Sequence, residues 1–132
     1  MSAEADIYPR YAPELAEKIE GVLGEGSEFH LANGFYAQGV GPETAVLPQG
    51  WEERLWKVQN GNTDSFIGWC LDVEDLFMSK AAAARPKDQE FCTGLLRRGY
   101  VTLERCLELA PSMPLEPPEI ARLVARIKRW AK

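Results

Sequence analysis

The 132-residue sequence has one histidine, three cysteines and no apolar run near the length of a membrane span. With His30 alone, a two-histidine or His-Cys metal cluster is excluded, and nothing around it suggests a Ser-His-Asp arrangement. It reads as structural. Cys70, Cys92 and Cys106 are odd in number, lack CxxC spacing and sit among apolar neighbours, which predicts reduced thiols in a core. The absence of a GxGxxG or P-loop motif removes the usual dinucleotide and P-loop routes to nucleotide binding. The first residues, Met-Ser-Ala-Glu-Ala-Asp, carry neither a basic n-region nor an apolar h-region, so a cytoplasmic protein is expected, neither secreted nor membrane-inserted.

Positive charge is also short. Fifteen basic against twenty acidic residues give a net charge of -5, which argues against capture of nucleic acid or anionic lipid by the whole surface and leaves only a local basic patch open. An apolar fraction of 45% and a charged fraction of 27% are ordinary for a folded protein, and the length fits one domain, 1–132.

Glu4 to Tyr8 predicts a short strand ended by Pro9. Pro13 opens a helix with Leu15, Ala16, Ile19, Val22 and Leu23 at helical spacing, closed by Gly24 and Gly26. Ser27 to Asn33 leaves a short helix and a strand both open, whereas Phe35 to Val40 predicts a strand. Pro48 to Glu53 predicts a turn or a single helical turn, and Arg54 to Gln59 with Ser65 to Cys70 predicts a hairpin about Asn60-Gly61-Asn62. Asp72 can then cap a helix from Val73 to Ala84, with Asp75 as a capping-box acid, and a second helix runs from Pro86 to Arg98. Thr102 caps a third helix through Ala110, and four prolines, Pro111, Pro114, Pro117 and Pro118, stiffen the next connection. In the last helix Ile120, Leu123, Val124, Ile127, Trp130 and Ala131 form the apolar stripe, opposite Arg122, Arg126, Arg129 and Lys132. The sum is an α+β fold, a small antiparallel or mixed sheet packed by helices, in which 1–71 is mainly sheet with one helix and 72–132 is helical. The aromatics Trp51, Trp56, Trp69, Phe35, Tyr36 and Phe66 are expected mostly in the core, with Trp56 set apart as a candidate for an exposed groove or subunit contact.

Charge on apolar helical faces is the most informative feature. Val73, Leu76, Phe77, Lys80 and Ala84 share one face, and Asp88, Phe91, Cys92, Leu95 and Leu96 share another, so two helices each offer one inward charge of opposite sign. A partly buried Lys80–Asp88 ion pair is one meaning, and its disruption would cost roughly 3–5 kcal/mol. Arg85 and Lys87 flank the break between the helices and either add anion affinity at the second helix's N-terminus or lie exposed.

Several segments carry a family resemblance: Glu4-Ala5-Asp6-Ile7-Tyr8-Pro9, Gly39-Val40-Gly41-Pro42-Glu43-Thr44-Ala45, Leu47-Pro48-Gln49-Gly50-Trp51, and Asp75-Leu76 with Lys80 and Arg85-Pro86-Lys87-Asp88. Together they resemble a bacterial nucleotidyltransferase-like family of unassigned function, related to the abortive-infection toxin nucleotidyltransferases. The resemblance implies a nucleotidyltransferase-like fold with a helical C-terminal part. It also gives Glu4 and Asp6 the place of the acidic-x-acidic pair and Lys80 that of a phosphate contact. Two residues apart on a strand, both carboxylates share a face, where they could hold Mg2+ against nucleotide phosphates; the alternative leaves them as solvated acids. Two departures stand out. Only three residues precede Glu4, too few for the Gly-Ser turn that cradles a triphosphate, so N-terminal truncation is expected; and Gln38 occupies the plausible third-acid position, with Glu43 the nearest carboxylate. Two functions follow as expectations. One is a degenerate or truncated domain that needs no cofactor, binds a ligand or protein partner and forms a homodimer. The other is an active Mg2+-dependent nucleotidyltransferase that moves a nucleoside monophosphate to a hydroxyl of RNA, protein or a small molecule.

Overall fold

In the computed structural model, residues 4–9, 12–39, 45–61, 65 and 67–132 are described. Expectations placed on Val40, Glu43, Asn62 and Phe66 lie outside them. The chain forms two compact units, Met1–Ala45 and Val46–Lys132, so the hairpin belongs with the helices that follow it.

The first unit contains β1 (Glu4–Ile7), a 3-10 turn (Pro13–Leu15), α1 (Ala16–Leu23), α2 (Glu28–Asn33) and β2 (Tyr36–Gly39). The two strands pair in parallel, with Glu4 opposite Tyr36 and Ile7 opposite Gly39. A parallel pair needs a long crossover, and the two helices supply it. The ambiguity at Ser27–Asn33 resolves as helix for local reasons. Ser27 Oγ accepts the His30 N–H at 3.2 Å, and Gly34, at φ 76°, gives the left-handed residue that ends the helix. Gly39 is required by a close approach, since a Cβ there would collide with the Ala16 carbonyl oxygen of α1.

The second unit contains a 3-10 turn (Trp51–Arg54), β3 (Trp56–Val58), β4 (Gly68–Cys70), α3 (Val73–Ala83), α4 (Pro86–Arg97), α5 (Leu103–Leu109), a further 3-10 turn (Ala110–Ser112) and α6 (Pro117–Trp130). β3 and β4 form the expected antiparallel hairpin, with Lys57 opposite Trp69. The fold is therefore α+β, although its strands form two separate pairs, one parallel and one antiparallel, and not one sheet. Phe77, Met78 and Ala81 of α3, Cys92 of α4, Val101 ahead of α5, Cys106 and Leu109 of α5, Ala110 and Met113, and Leu123 and Ile127 of α6 make the core. Burial pushes the thiols of Cys92 and Cys106 up to about 12, so both stay neutral. Among the described residues no helix is long and apolar enough to cross a membrane.

Three expectations are corrected. Cys70 is exposed, because it ends a strand whose residues all face solvent. Trp69 and Phe35 are exposed too, Trp69 on a hairpin strand whose three residues all face solvent and the Phe35 ring with the edge of Phe29 at 5.3 Å, whereas Trp56 is exposed as its separate reading expected. The buried side of α3 is Asp75, Phe77, Met78 and Ala81, about one residue round from the predicted stripe, which leaves Val73 exposed and Lys80 at the margin.

Asp75 explains that rotation. Far from serving as a capping-box acid, it is wholly buried and takes both of its bonds from Arg54, Nε to Oδ2 at 2.9 Å and Nη2 to Oδ1 at 2.8 Å. This bidentate pairing draws a carboxylate onto the core face. Arg54→Met would strand that carboxylate and is expected to cost about 3–5 kcal/mol in urea denaturation, whereas Arg54→Met combined with Asp75→Leu should recover most of the loss. A loss below about 1 kcal/mol for the single variant would show the pair to be dispensable.

Candidate functional site

A two-residue link joins α3 to α4. Ala84 turns left-handed at φ 53° and returns its N–H to the Lys80 carbonyl at 2.9 Å; Arg85 is then the N-cap of α4 and Pro86 its first residue. The reversal brings the last turn of α3 against the first turn of α4. Lys80 Nζ lies 3.8 Å from Asp88 Oδ1, and Asp88 is 1% exposed against 23% for Lys80. Arg85 holds the same carboxylate more tightly, through Nε to Oδ2 at 2.7 Å, Nη2 to Oδ1 at 3.3 Å and its backbone N–H to Oδ2 at 3.1 Å. Lys80 also stands over the Phe91 ring, 5.4 Å from its centroid. One buried carboxylate thus gathers two cations, and Arg85 keeps its outer face in water. Lys87 is exposed on the same first turn.

Burial alone would raise the Asp88 carboxyl. The side-chain and backbone bonds from Arg85, and the charges of Arg85 and Lys80, more than offset that and hold it below its ordinary value of 3.8. The Arg85 contribution was legible in part, since an acid three residues after the N-cap and just past a proline is a local pattern. Arg54, paired with Asp75 across 21 residues, left no such trace.

The start of α3 is a second knot. Asp72 Oδ2 accepts the Glu74 N–H at 3.2 Å, and its other oxygen accepts the Trp56 indole N–H at 2.9 Å. Trp56 is therefore tethered at its polar tip while 65% of it is exposed. Arg105 of α5 bridges Glu74 at 2.9 Å and Glu108 at 3.0 Å. Three consecutive-turn acids, Asp72, Glu74 and Asp75, thereby serve the hairpin, α5 and the 3-10 turn.

In the first unit Glu4 and Asp6 occupy one side of β1, and the register of β2 sets Tyr36 opposite Glu4 and Gln38 opposite Asp6. The Tyr36 hydroxyl donates to Glu4 Oε2 at 3.0 Å. That bond, with burial and the charges of Glu4, Glu25 and Asp6, raises the phenol above its ordinary value. Behind Tyr36 sits His30, ring centroids 4.8 Å apart, whose Nδ1 accepts the Gly26 N–H at 2.9 Å. The histidine closes the turn into α2. Gln38 donates to Glu20 Oε1 at 3.3 Å, which brings a carboxylate from α1 to this acidic face. Sequence reasoning passed over both Tyr36 and Glu20, because the register of a parallel pair is not written in either strand alone.

Glu4 and Asp6 belong to one unit, and Lys80, Arg85, Lys87, Trp56 and Asp88 to the other. Among the described residues no three His, Cys, Asp or Glu side chains converge to hold a metal ion. Opposite Asp6 the register sets the amide of Gln38, so among the described residues Glu4, Asp6 and Gln38 offer two carboxylates and one neutral donor.

Asp88 sets a pH dependence. Its carboxyl binds fewer protons folded than unfolded, so its stabilising contribution is present above the ordinary value of 3.8 and is lost as pH falls through the lower, folded value. Unfolding midpoints measured from pH 6 downwards should fall below about pH 4 in the wild type, and more shallowly in Asp88→Asn, which starts less stable. Equal slopes in the two proteins would remove Asp88 as the source.

Among known proteins, no curated sequence and no solved structure matches the chain. A family profile described as nucleotidyltransferase of unknown function (DUF6036) matches residues 6–101, a span that takes in Asp6, Gln38, the 3-10 turn with Arg54, and the whole α3–α4 corner. The chain belongs to this nucleotidyltransferase family of unknown function.

Proposed function

We propose that this chain is a nucleotidyltransferase-like domain that acts by binding a ligand or a partner protein and by self-association, without transferring a nucleotide. The observation that carries this reading is Gln38 opposite Asp6. Nucleotidyl transfer is driven by positioning and by neutralising charge at phosphorus, and a neutral amide cannot supply the anionic ligand that fixes a divalent cation there. Lys80 and Arg85 support it as well. Both compensate the buried Asp88, and recruiting them to a triphosphate would leave that carboxylate short of partners. Self-association is supported by the hairpin, a two-stranded ribbon with Trp56 and Trp69 65% and 54% exposed, which gains stability from further strands or cover.

One observation favours catalysis instead. Glu20 reaches within 3.3 Å of the Gln38 amide, so a third carboxylate stands beside the Asp6 strand. In that case the domain would be a Mg2+-dependent nucleotidyltransferase acting on a hydroxyl of RNA, protein or a small molecule, with Glu4 and Asp6 as metal ligands and Lys80 on phosphate.

Incubation with α-labelled ATP, CTP, GTP and UTP and Mg2+ separates the two. The binding reading expects no label on protein, RNA or small-molecule acceptors and no effect of Asp6→Asn. Transfer that Asp6→Asn abolishes would establish the enzyme.

A further inference from the structure

An open groove of about 740 Å3 lies in the second unit, outside both knots of charge, between the 3-10 turn that starts at Trp51 and the proline-bounded turn before α6. The Gln49 N–H donates to the Ser112 carbonyl at 3.0 Å and joins its two walls. Leu47, Trp51, Met113 and Pro114 give it an apolar floor, the charged residues among its described lining are Glu52 and Glu53, and the Arg54 guanidinium bonds the Gln49 carbonyl on the same wall. Such a site suits cationic groups carried on apolar stems.

The same unit displays the complement. Leu123 and Ile127 turn α6 inward, and its outer side carries Arg122, Lys128 and Arg129, all exposed, with Lys132 exposed just past its end. Arg126 is not part of this set, since its guanidinium donates to the Ala81 carbonyl at 2.8 Å. Three cations on one helix face, with a fourth just past the helix end, are conspicuous in a chain of net charge -5, whose copies repel one another overall. Association of two copies then depends on a local meeting of opposite charges.

We propose that the Trp51 groove receives the cationic outer face of α6 from a second copy of this chain. A two-fold axis makes the contact twice, groove to helix and helix to groove, and so closes a dimer without leaving a free end. The methylene stems of Lys128 and Arg129 lie over Trp51 and Met113 while their charged ends meet Glu52 and Glu53. This deepens the self-association in the proposed function and rests on it.

Sedimentation velocity on the full chain, in low salt and in about 1 M salt where screening reaches only about 3 Å, tests it with charge exchange. The wild type is expected at twice the 14.8 kDa monomer mass in low salt and to dissociate in high salt. Glu52→Lys/Glu53→Lys and Lys128→Glu/Arg129→Glu should each be monomeric. The four substitutions together should restore the dimer, which a folding defect could not do. A dimer that survives either reversal, or a fourfold variant that stays monomeric, overturns the groove assignment and leaves self-association to another surface such as the hairpin. A wild type that is monomeric throughout overturns both.

Discussion

The Asp75 carboxylate is buried in the first turn of α3 with both oxygens held by Arg54, and segments distant in the chain meet through that contact. The guanidinium also donates to the Gln49 carbonyl at 3.1 Å, so it fastens the 3-10 turn Trp51–Arg54 to the helix. That turn forms one wall of the groove and leads directly into β3. A buried pair of this kind adds little net stability over an apolar replacement, because desolvation offsets much of the attraction. Its consequence is directional. Once the acid is buried, only one orientation of the turn can reach it, and the hairpin and the groove inherit that orientation.

Asp88 repeats the device one helix later, again as an acid in a first turn, again held by an arginine. Sequence periodicity pointed to a lysine and an aspartate facing each other across two helices, one inward charge of each sign. That pair is present at 3.8 Å, but the two wholly buried charges, Asp75 and Asp88, are both negative, and the cations that answer them approach from the surface with part of their side chains in water. Long basic side chains can do this because their stems lie along apolar surface while the charge stays hydrated. A short carboxylate has no such reach, so once it lies on a core-facing side of a helix it is buried and needs a partner.

The acidic face of the first unit owes its arrangement to pairing. Glu4 and Asp6 share a face by the alternation of a strand, which can be read directly. Their neighbours Tyr36 and Gln38 are set by the register with β2, and Glu20 arrives only because α1 lies close enough on β2 to demand glycine at position 39. The resemblance to nucleotidyltransferases, drawn from short segments, agrees with the family match over residues 6–101. Gln38 opposite Asp6 is the observation on which the proposed binding reading rests.

Local chemistry was enough to determine the helices from Val73 onward, the caps at Asp72 and Thr102, the reversal at Arg85-Pro86, the hairpin and the α+β class, because each depends on residues within a few positions of one another. Tertiary structure alone decided that the strands form two separate pairs, that Arg54 reaches Asp75, that Cys70 and Trp69 face solvent, and that Gln38 stands opposite Asp6. Those outcomes turn on register, on which face of a short strand is covered, and on side chains meeting across 20 residues or more. The free energy that selects among such meetings comes from burial and desolvation in the assembled unit, and no local window of the sequence contains it.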